Sequence, residues 1–474
     1  MGITVAGPLG LELGLAVLML LVFFVGLFMP SEDKRRVGVL SAIGLVILFG
    51  LAWRAEGGTE MFRGALVQDE LALFAKRLFL LATLIGVLAS LPLKAVAFAR
   101  RATEYYLAIL ASLLGMLILS SARDLILLFV AFELMSIPLY YLAGFLKREP
   151  EAVEAALKFF LMGTVSSAVL AYGLSFIYGV AGTTDVRGIA AAMSTGHPMI
   201  LLGMLLALGG LGFKIAAFPF HMWVPDTYEA ASTPFVAWLS VAPKAAGFVV
   251  IFRLYLEGMG DRVLFWVPAA AGLATVTIIG GNLMAIPQQN VKRLLAYSGV
   301  AHIGYMLIGF AAVSANGVAM MLFYLVAYLF GNMGAFLVVE AVAQAEGSEA
   351  ITAYRGLAQR SPILALCMLL FLLSLGGIPF VAGFWAKLYV FWAAAEQGLY
   401  WLVLVGAVLT VVALFYYLLI AKSMYIDTPE RRDPIAVAPL LSFCIFLCVL
   451  GVVITGLYPK PLVVAALRAA GPLF

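Results

Sequence analysis

The chain has 474 residues, of which 64% are hydrophobic and only 11% charged, with a mean hydropathy of +1.09. A soluble domain of this length needs a polar skin, and this composition cannot supply one. The formal net charge of +4 is too small to argue for nucleic acid and reflects loop lysines and arginines that serve topology.

A membrane-crossing helix needs about 20 apolar residues, and such runs follow one another almost end to end. In chain order they lie near 9–29, 36–53, 70–91, 104–121, 124–146, 153–180, 199–221, 230–256, 263–285, 293–311, 317–340, 361–395, 399–425 and 436–458. The expectation is an all-α polytopic membrane protein of about 14 transmembrane helices. The first run meets Ser31-Glu-Asp-Lys-Arg-Arg36 without a small-residue cleavage site, so it reads as a retained helix and not as a signal peptide. Cys367, Cys444 and Cys448 all sit inside apolar runs, form no C-x-x-C pair and read as ordinary core thiols.

Loop charge gives the orientation. Loops after odd-numbered spans hold Lys34, Arg35, Arg36, Lys94, Arg100, Arg101, Lys147, Arg148, Lys292, Arg293, Arg355, Arg360, Lys422, Arg431 and Arg432. The opposite side holds fewer, namely Arg54, Arg63, Lys76, Arg77, Arg123, Arg187, Arg253, Arg262, Lys460 and Arg468. The excess places the first set in the cytoplasm and both termini outside.

Two spans read badly as single helices. A continuous helix over 361–395 would run to about 52 Å, far beyond a hydrocarbon core of about 30 Å. Within it, Gly376-Gly377-Ile378-Pro379 can stop and restart a helix. Gly209-Gly210-Leu211-Gly212 and Pro219 flank the end of the seventh run. Paired interruptions, here in spans seven and twelve, mark an inverted-repeat transporter. The alternative is a pair of kinks in a plain scaffold.

Four lysines lie inside mostly apolar spans: Lys158, Lys214, Lys244 and Lys387. A Lys at a helix centre costs about 2.5–3.5 kcal/mol on insertion scales, so something must compensate it. Glu133 stands nine residues into its span, about 14 Å deep, and reads as the one deep carboxylate. Desolvated lysines beside unwound backbone, with a carboxylate nearby, suit proton transfer. The bland reading is a set of static buried ion pairs fixing helix register. His302, in Ser298-Gly-Val-Ala-His-Ile-Gly-Tyr305, could bridge protons between Lys244 and Lys387, or be a hydrogen-bonded structural histidine. His221, at a helix end, reads as loop packing, and His197 as a loop residue. No G-x-G-x-x-G follows a strand, no Walker loop occurs and no cysteine cluster could hold iron–sulfur. The chain is expected to bind no cofactor, and its drive to come from an ion gradient or another subunit.

Phe213-Lys-Ile-Ala-Ala-Phe-Pro-Phe-His-Met-Trp-Val-Pro-Asp226, with Tyr228-Glu229 and Thr233-Pro234, resembles the signature of the antiporter-like subunits of respiratory complex I, shared with Mrp-type cation/proton antiporters and membrane-bound hydrogenases. Four further segments look like the subunit N family of NADH-quinone oxidoreductase: Glu154-Ala-Ala-Leu-Lys-Phe-Phe-Leu-Met-Gly163, Ser240-Val-Ala-Pro-Lys-Ala-Ala-Gly-Phe248, Asn290-Val-Lys-Arg-Leu-Leu-Ala-Tyr-Ser298 and Gly376-Gly-Ile-Pro-Phe-Val-Ala-Gly-Phe384. The resemblance covers roughly residues 100 to 425. It implies an N-terminal three-helix segment (1–103), two inverted five-helix repeats (104–258 and 259–425) with helices 7 and 12 broken, and a C-terminal helix (426–474). It places the family's fifth-span glutamate on Glu133, its seventh- and eighth-span lysines on Lys214 and Lys244, and its twelfth-span site on Lys387, a lysine in subunits N and L and a glutamate in subunit M. The chain stops soon after span fourteen, which argues against subunit L.

The resemblance implies a non-redox membrane subunit of a proton-translocating NADH:quinone oxidoreductase, multi-pass in the bacterial inner membrane. NADH, FMN, iron–sulfur clusters and quinone would sit in partner subunits, and other antiporter-like and small helical subunits would flank this one. The competing readings are a subunit of a stand-alone sodium/proton antiporter and a scaffold whose lysines hold partner helices.

Overall fold

The structure is a computed structural model describing residues 7–30, 33–93, 98, 100–146, 150–192, 197–260, 263–429 and 431–474. Lys94, Lys147, Arg148 and Arg262, used above for orientation, lie outside the described residues.

In chain order the helices are α1 (Gly10–Phe28), α2 (Arg36–Ala52), α3 (Glu70–Ser90), α4 (Ala102–Ser121), α5 (Leu125–Ala143), α6 (Pro150–Ala181), the short α7 (Val186–Ala192) and α8 (Pro198–Ile215). Then come α9 (Trp223–Ala230), α10 (Thr233–Leu239), α11 (Ala242–Ile251), α12 (Val263–Ala285), α13 (Val291–Ala311) and α14 (Ala315–Glu346). The last are α15 (Leu357–Arg360), α16 (Pro362–Gly376), α17 (Ala382–Glu396), α18 (Tyr400–Tyr425), α19 (Pro439–Leu457) and α20 (Lys460–Ala470). Among the described residues twelve helical stretches are long and apolar enough to cross a membrane, counting Thr233–Glu257 as one, and two shorter apolar helices, α2 and α16, accompany them. Each of the fourteen expected runs is met by a helix or by a broken pair.

Side-chain caps fix several starts. Asp69 accepts from the Ala72 amide ahead of α3, Asp124 from Ile126 and Leu127 ahead of α5, Asn290 from Arg293 ahead of α13 and Ser314 from Gly317 ahead of α14. Each oxygen satisfies an amide that has no partner within its helix.

The 361–395 run is two helices. α16 ends at Gly377, whose φ of 82° is open to glycine at little cost, and the chain re-enters as α17 after Phe380 and Val381. The seventh run stops earlier than expected, at Ile215, where Ala216 takes a φ of 65°. The glycines at 209, 210 and 212 do not mark that break; all three lie inside α8. Gly210 is there for packing, since a Cβ on it would stand 2.7 Å from that of Leu170 on α6.

Two features depart from the all-α reading. Thr59–Met61 (β1) and Leu66–Gln68 (β2) form a small antiparallel hairpin with Thr59 opposite Gln68. After α11, residues Phe252–Glu257 wind as a π-helix, with the Gly258 amide donating to the Arg253 carbonyl five residues back. The C-terminal region also holds two helices, α19 and α20, where one was expected.

Contacts divide the chain into two compact units. The first holds residues up to Ile215, then Ala242–Ala269 and Arg468–Phe474; the second holds Ala216–Val241 and Ala270–Leu467.

Candidate functional site

In the first unit three of the singled-out residues share one neighbourhood. Lys214 is the penultimate residue of α8, and its side chain is buried. Its Nζ donates to Ser136 Oγ at 2.7 Å and lies 5.4 and 5.6 Å from the ring centroids of Phe132 and Tyr140 on α5. Ser136 follows Glu133 by three residues, so both project from the same face of α5. Glu133 is half-buried and accepts a 2.5 Å hydrogen bond from Ser167 Oγ of α6. The ammonium and the carboxylate are thus each bonded to a different serine, Lys214 to Ser136 and Glu133 to Ser167, and the acid is partly exposed. Lys244 is 1% exposed on α11. Gly247, three residues further on, passes beside the Lys214 stem, where a Cβ would meet Lys214 Cγ at 3.8 Å. The helices carrying the two lysines thus pack against each other.

Lys158 is different. Its side chain is 48% exposed on α6 and pairs with Glu154 one turn earlier at 2.7 Å, so the desolvation argument that singled it out does not apply to it.

The second unit builds a polar network around His302 on α13. Its Nδ1 lies 2.8 Å from Tyr324 Oη and its Nε2 lies 3.2 Å from Tyr417 Oη. Tyr417 Oη is 2.5 Å from Ser298 Oγ. The adjacent Tyr416 donates to Asn282 Oδ1 at 3.0 Å, and Asn282 in turn donates to Tyr305 at 3.4 Å. Lys387, buried on α17, stands 4.7 Å from the Tyr305 ring centroid and donates to the Gly376 carbonyl at 3.3 Å, a backbone group at the end of α16. Hydroxyls and an imidazole that both donate and accept make this a lattice along which a proton can be passed. Sequence reasoning missed Asn282, Tyr324, Tyr416 and Tyr417. The available signal was polar side chains at helical spacing in otherwise apolar runs.

Three cations grouped with loop or helix-end charges are in fact buried. Lys76 pairs with buried Glu12 at 2.7 Å and donates to Gln68 at 3.1 Å. Arg253 is wholly buried and holds Asp69 through two hydrogen bonds, of 2.6 and 2.7 Å. Arg123 reaches Glu257 at 2.5 Å and Asp69 at 3.3 Å. Glu12, in the first turn of α1, and Glu340, near the C-terminal end of α14, are buried too, but both stand close to a helix end.

The signature loop has a structural explanation. Asp226 and Glu229 hold Arg293 at 3.0 and 2.8 Å, while Lys292 donates to the carbonyls of Glu229 and Ala231 and pairs with Glu349, each at 2.9 Å. His221 is buried and stacked on Phe218, as loop packing requires, and His197 is exposed. The three cysteines are free thiols, and among the described residues no cluster of His, Cys, Asp and Glu could hold a metal.

A family model described as "NADH:quinone oxidoreductase/Mrp antiporter, TM" matches residues 122–413. A protein of Moorella thermoacetica named NADH-quinone oxidoreductase subunit N is 40% identical over 95% of both chains. A chain of respiratory complex I from Thermus thermophilus superimposes with a TM-score of 0.81 at 31% identity, over 96% of this chain and 98% of its own. A chain of the Mrp complex from Dietzia shares the fold, with a TM-score of 0.86 at 22% identity, over 98% of this chain and 97% of its own.

Proposed function

The chain belongs to the NADH:quinone oxidoreductase/Mrp antiporter family of membrane subunits, and on that premise we propose that it is the proton-translocating, non-redox subunit N of an NADH-quinone oxidoreductase. The observation that carries this reading is the series of proton-handling groups inside apolar helices: half-buried Glu133 with buried Ser136, Lys214 and Lys244 in the first unit, and buried His302, Tyr417 and Lys387 in the second. A scaffold gains nothing from such groups at the insertion cost each lysine carries. Identity of 40% to a subunit N over 95% of both chains favours the redox complex over a stand-alone antiporter.

In this reading NADH, FMN, iron–sulfur clusters and quinone belong to partner subunits, and quinone reduction there is the energy source. It acts on Glu133, whose half-exposed carboxylate is open to a neighbouring subunit. Moving that carboxylate toward Lys214 favours the ammonium, and moving it away favours the amine. A change of charge on Lys214 alters the proton affinity of Lys244 on the packed helix beside it. The proton released passes by way of His302 and its tyrosines to Lys387 and then outward. Lys158, half-exposed and paired with Glu154, is left out of this route. Residues 104–258 and 259–425 form the two inverted repeats, and the chain lies in a bacterial inner membrane with both termini outside.

The test is Lys244→Ala in the whole complex, reconstituted into vesicles, with protons moved per NADH oxidised as the readout. The expected outcome is an assembled complex whose proton yield falls severalfold; an unchanged yield would sink the lysine scheme. Purification of the tagged chain separates the two transport readings. Flavin and iron–sulfur absorption with quinone reductase activity supports the redox complex, whereas a colourless assembly of membrane subunits supports the antiporter.

A further inference from the structure

The helix that carries Lys244 changes its winding before it ends. From Phe252 to Glu257 its hydrogen bonds span five residues instead of four, the mark of one residue in excess of α-helical register. One residue of register in an α-helix is a rotation of about 100° and a rise of about 1.5 Å. If that excess were lost or moved along the helix, Lys244, nine residues before Arg253, would turn toward a different neighbour.

Side chains of the π segment are anchored to other elements of the first unit. Arg253 is 0% exposed and lays its fork on Asp69, with 2.6 Å from Nη1 to Oδ2 and 2.7 Å from Nη2 to Oδ1. It also donates to Glu257 at 3.3 Å and to the Ser120 carbonyl at the end of α4 at 3.1 Å. Arg123 braces the same carboxylates, at 3.3 Å from Asp69 and 2.5 Å from Glu257, and Arg187 continues the set outward to Glu60 at 2.9 Å. Tyr255, buried against Trp266, donates at 2.5 Å to the Met204 carbonyl. Met204 belongs to α8, ten residues before Lys214. The π segment is therefore tied both to the start of α3 and to the helix bearing the other lysine.

We propose that the Arg253–Asp69 fork and the Tyr255–Met204 hydrogen bond are register pins that set which way Lys244 faces relative to Lys214, so that Arg253, Asp69 and Tyr255 are positioning residues for proton transfer at Lys244. A bidentate guanidinium fixes an angle as well as a distance, and an ammonium in its place would keep the charge and lose the angle. Inserting or removing one residue of winding is also the smallest change that would re-aim Lys244 without unfolding its helix, and the pins are placed to resist it.

The inference rests on Lys244 carrying protons, so Lys244→Ala is measured beside Arg253→Lys and Tyr255→Phe in the intact complex in vesicles. The readouts are protons moved per NADH oxidised and the dependence of that ratio on pH. Arg253→Lys and Tyr255→Phe should lower the ratio at least twofold and shift its pH profile while quinone reduction is kept. A merely structural role would lower the yield of assembled complex and leave the profile of what assembles unmoved. If Lys244→Ala lowers pumping and both other variants keep the wild-type ratio and profile, the positioning inference is overturned and the lysine reading stands. If Lys244→Ala itself has no effect, the lysine reading fails and the inference with it. Should Arg253→Lys not assemble, Tyr255→Phe decides alone, since it removes one hydroxyl and leaves every charge in place.

Discussion

Asp69 illustrates how one residue serves several levels at once. It caps α3 through the Ala72 amide, and with Glu257 it is one of two carboxylates on which both Arg253 and Arg123 converge. Burial pushes its carboxyl up, but the charge and hydrogen bonds of Arg253, with the Ala72 amide and Arg123, outweigh that and hold it below the usual carboxylate value. A carboxyl depressed in the folded state adds stability above its unfolded pKa, about 3.9, and loses it as pH falls through the folded value. The unfolding midpoint of the purified complex should therefore drop below about pH 4. Asp69→Asn should already be less stable at neutral pH, by about 3–5 kcal/mol, because it leaves buried arginines without their counter-charge. It should also show a shallower acid loss. Thermal unfolding across pH checks this, and equal acid limbs in the two proteins would show that Asp69 is not the group responsible.

Among the elements, the junction between α16 and α17 is the one on which Lys387 depends. The two helices come so close that a Cβ on Gly383 would stand 1.7 Å from the Ser374 carbonyl oxygen, while the Gly383 amide donates to Ser374 Oγ at 3.1 Å. Backbone cannot yield there as a side-chain tip could, so Gly383→Ala must push the two helices apart at a cost of about 1–3 kcal/mol. The Gly376 carbonyl, which accepts from Lys387, lies on the α16 side of that junction. The expected result is a lower unfolding temperature together with a lower proton yield. Gly272→Ala is the control: a Cβ there meets nothing within 4 Å, and neither quantity should change. Wild-type behaviour of Gly383→Ala would mean that the junction is looser than its geometry shows.

For the whole molecule, the loop-charge excess makes a prediction about sidedness. Phe474→Cys, at an exposed terminal position, should react with a membrane-impermeant maleimide added to intact cells. Ser348→Cys, in the exposed turn after α14, should react only after the membrane is opened. The reverse pattern would invert the topology and the direction of transport with it. Exposed leucines, valines and phenylalanines cover α1, α2, α18 and α19. Such a surface suits lipid or neighbouring apolar helices, not water.

Composition and run length alone determined that this is a many-helix membrane protein, because a bilayer admits helices of one narrow length range and this chain repeats that length. The broken helix at 376–379 was equally legible, since 35 apolar residues are too long for one crossing and glycine and proline stand where the chain must turn. Lys214, Lys244, Lys387, His302 and Glu133 stood out because ionisable groups are rare in apolar runs. The tertiary structure decided which of these lysines is buried, and it set Lys158 apart on an exposed face. It also showed that Lys76, Arg123 and Arg253, charges that look peripheral by position, are buried among carboxylates contributed from distant parts of the chain. Local sequence carries no record of such pairing: Asp69 and Arg253 are 184 residues apart, and only folding brings the fork to its carboxylate. The π segment was hidden too, since the partners of its Arg253 and Tyr255 lie on other elements far off in sequence.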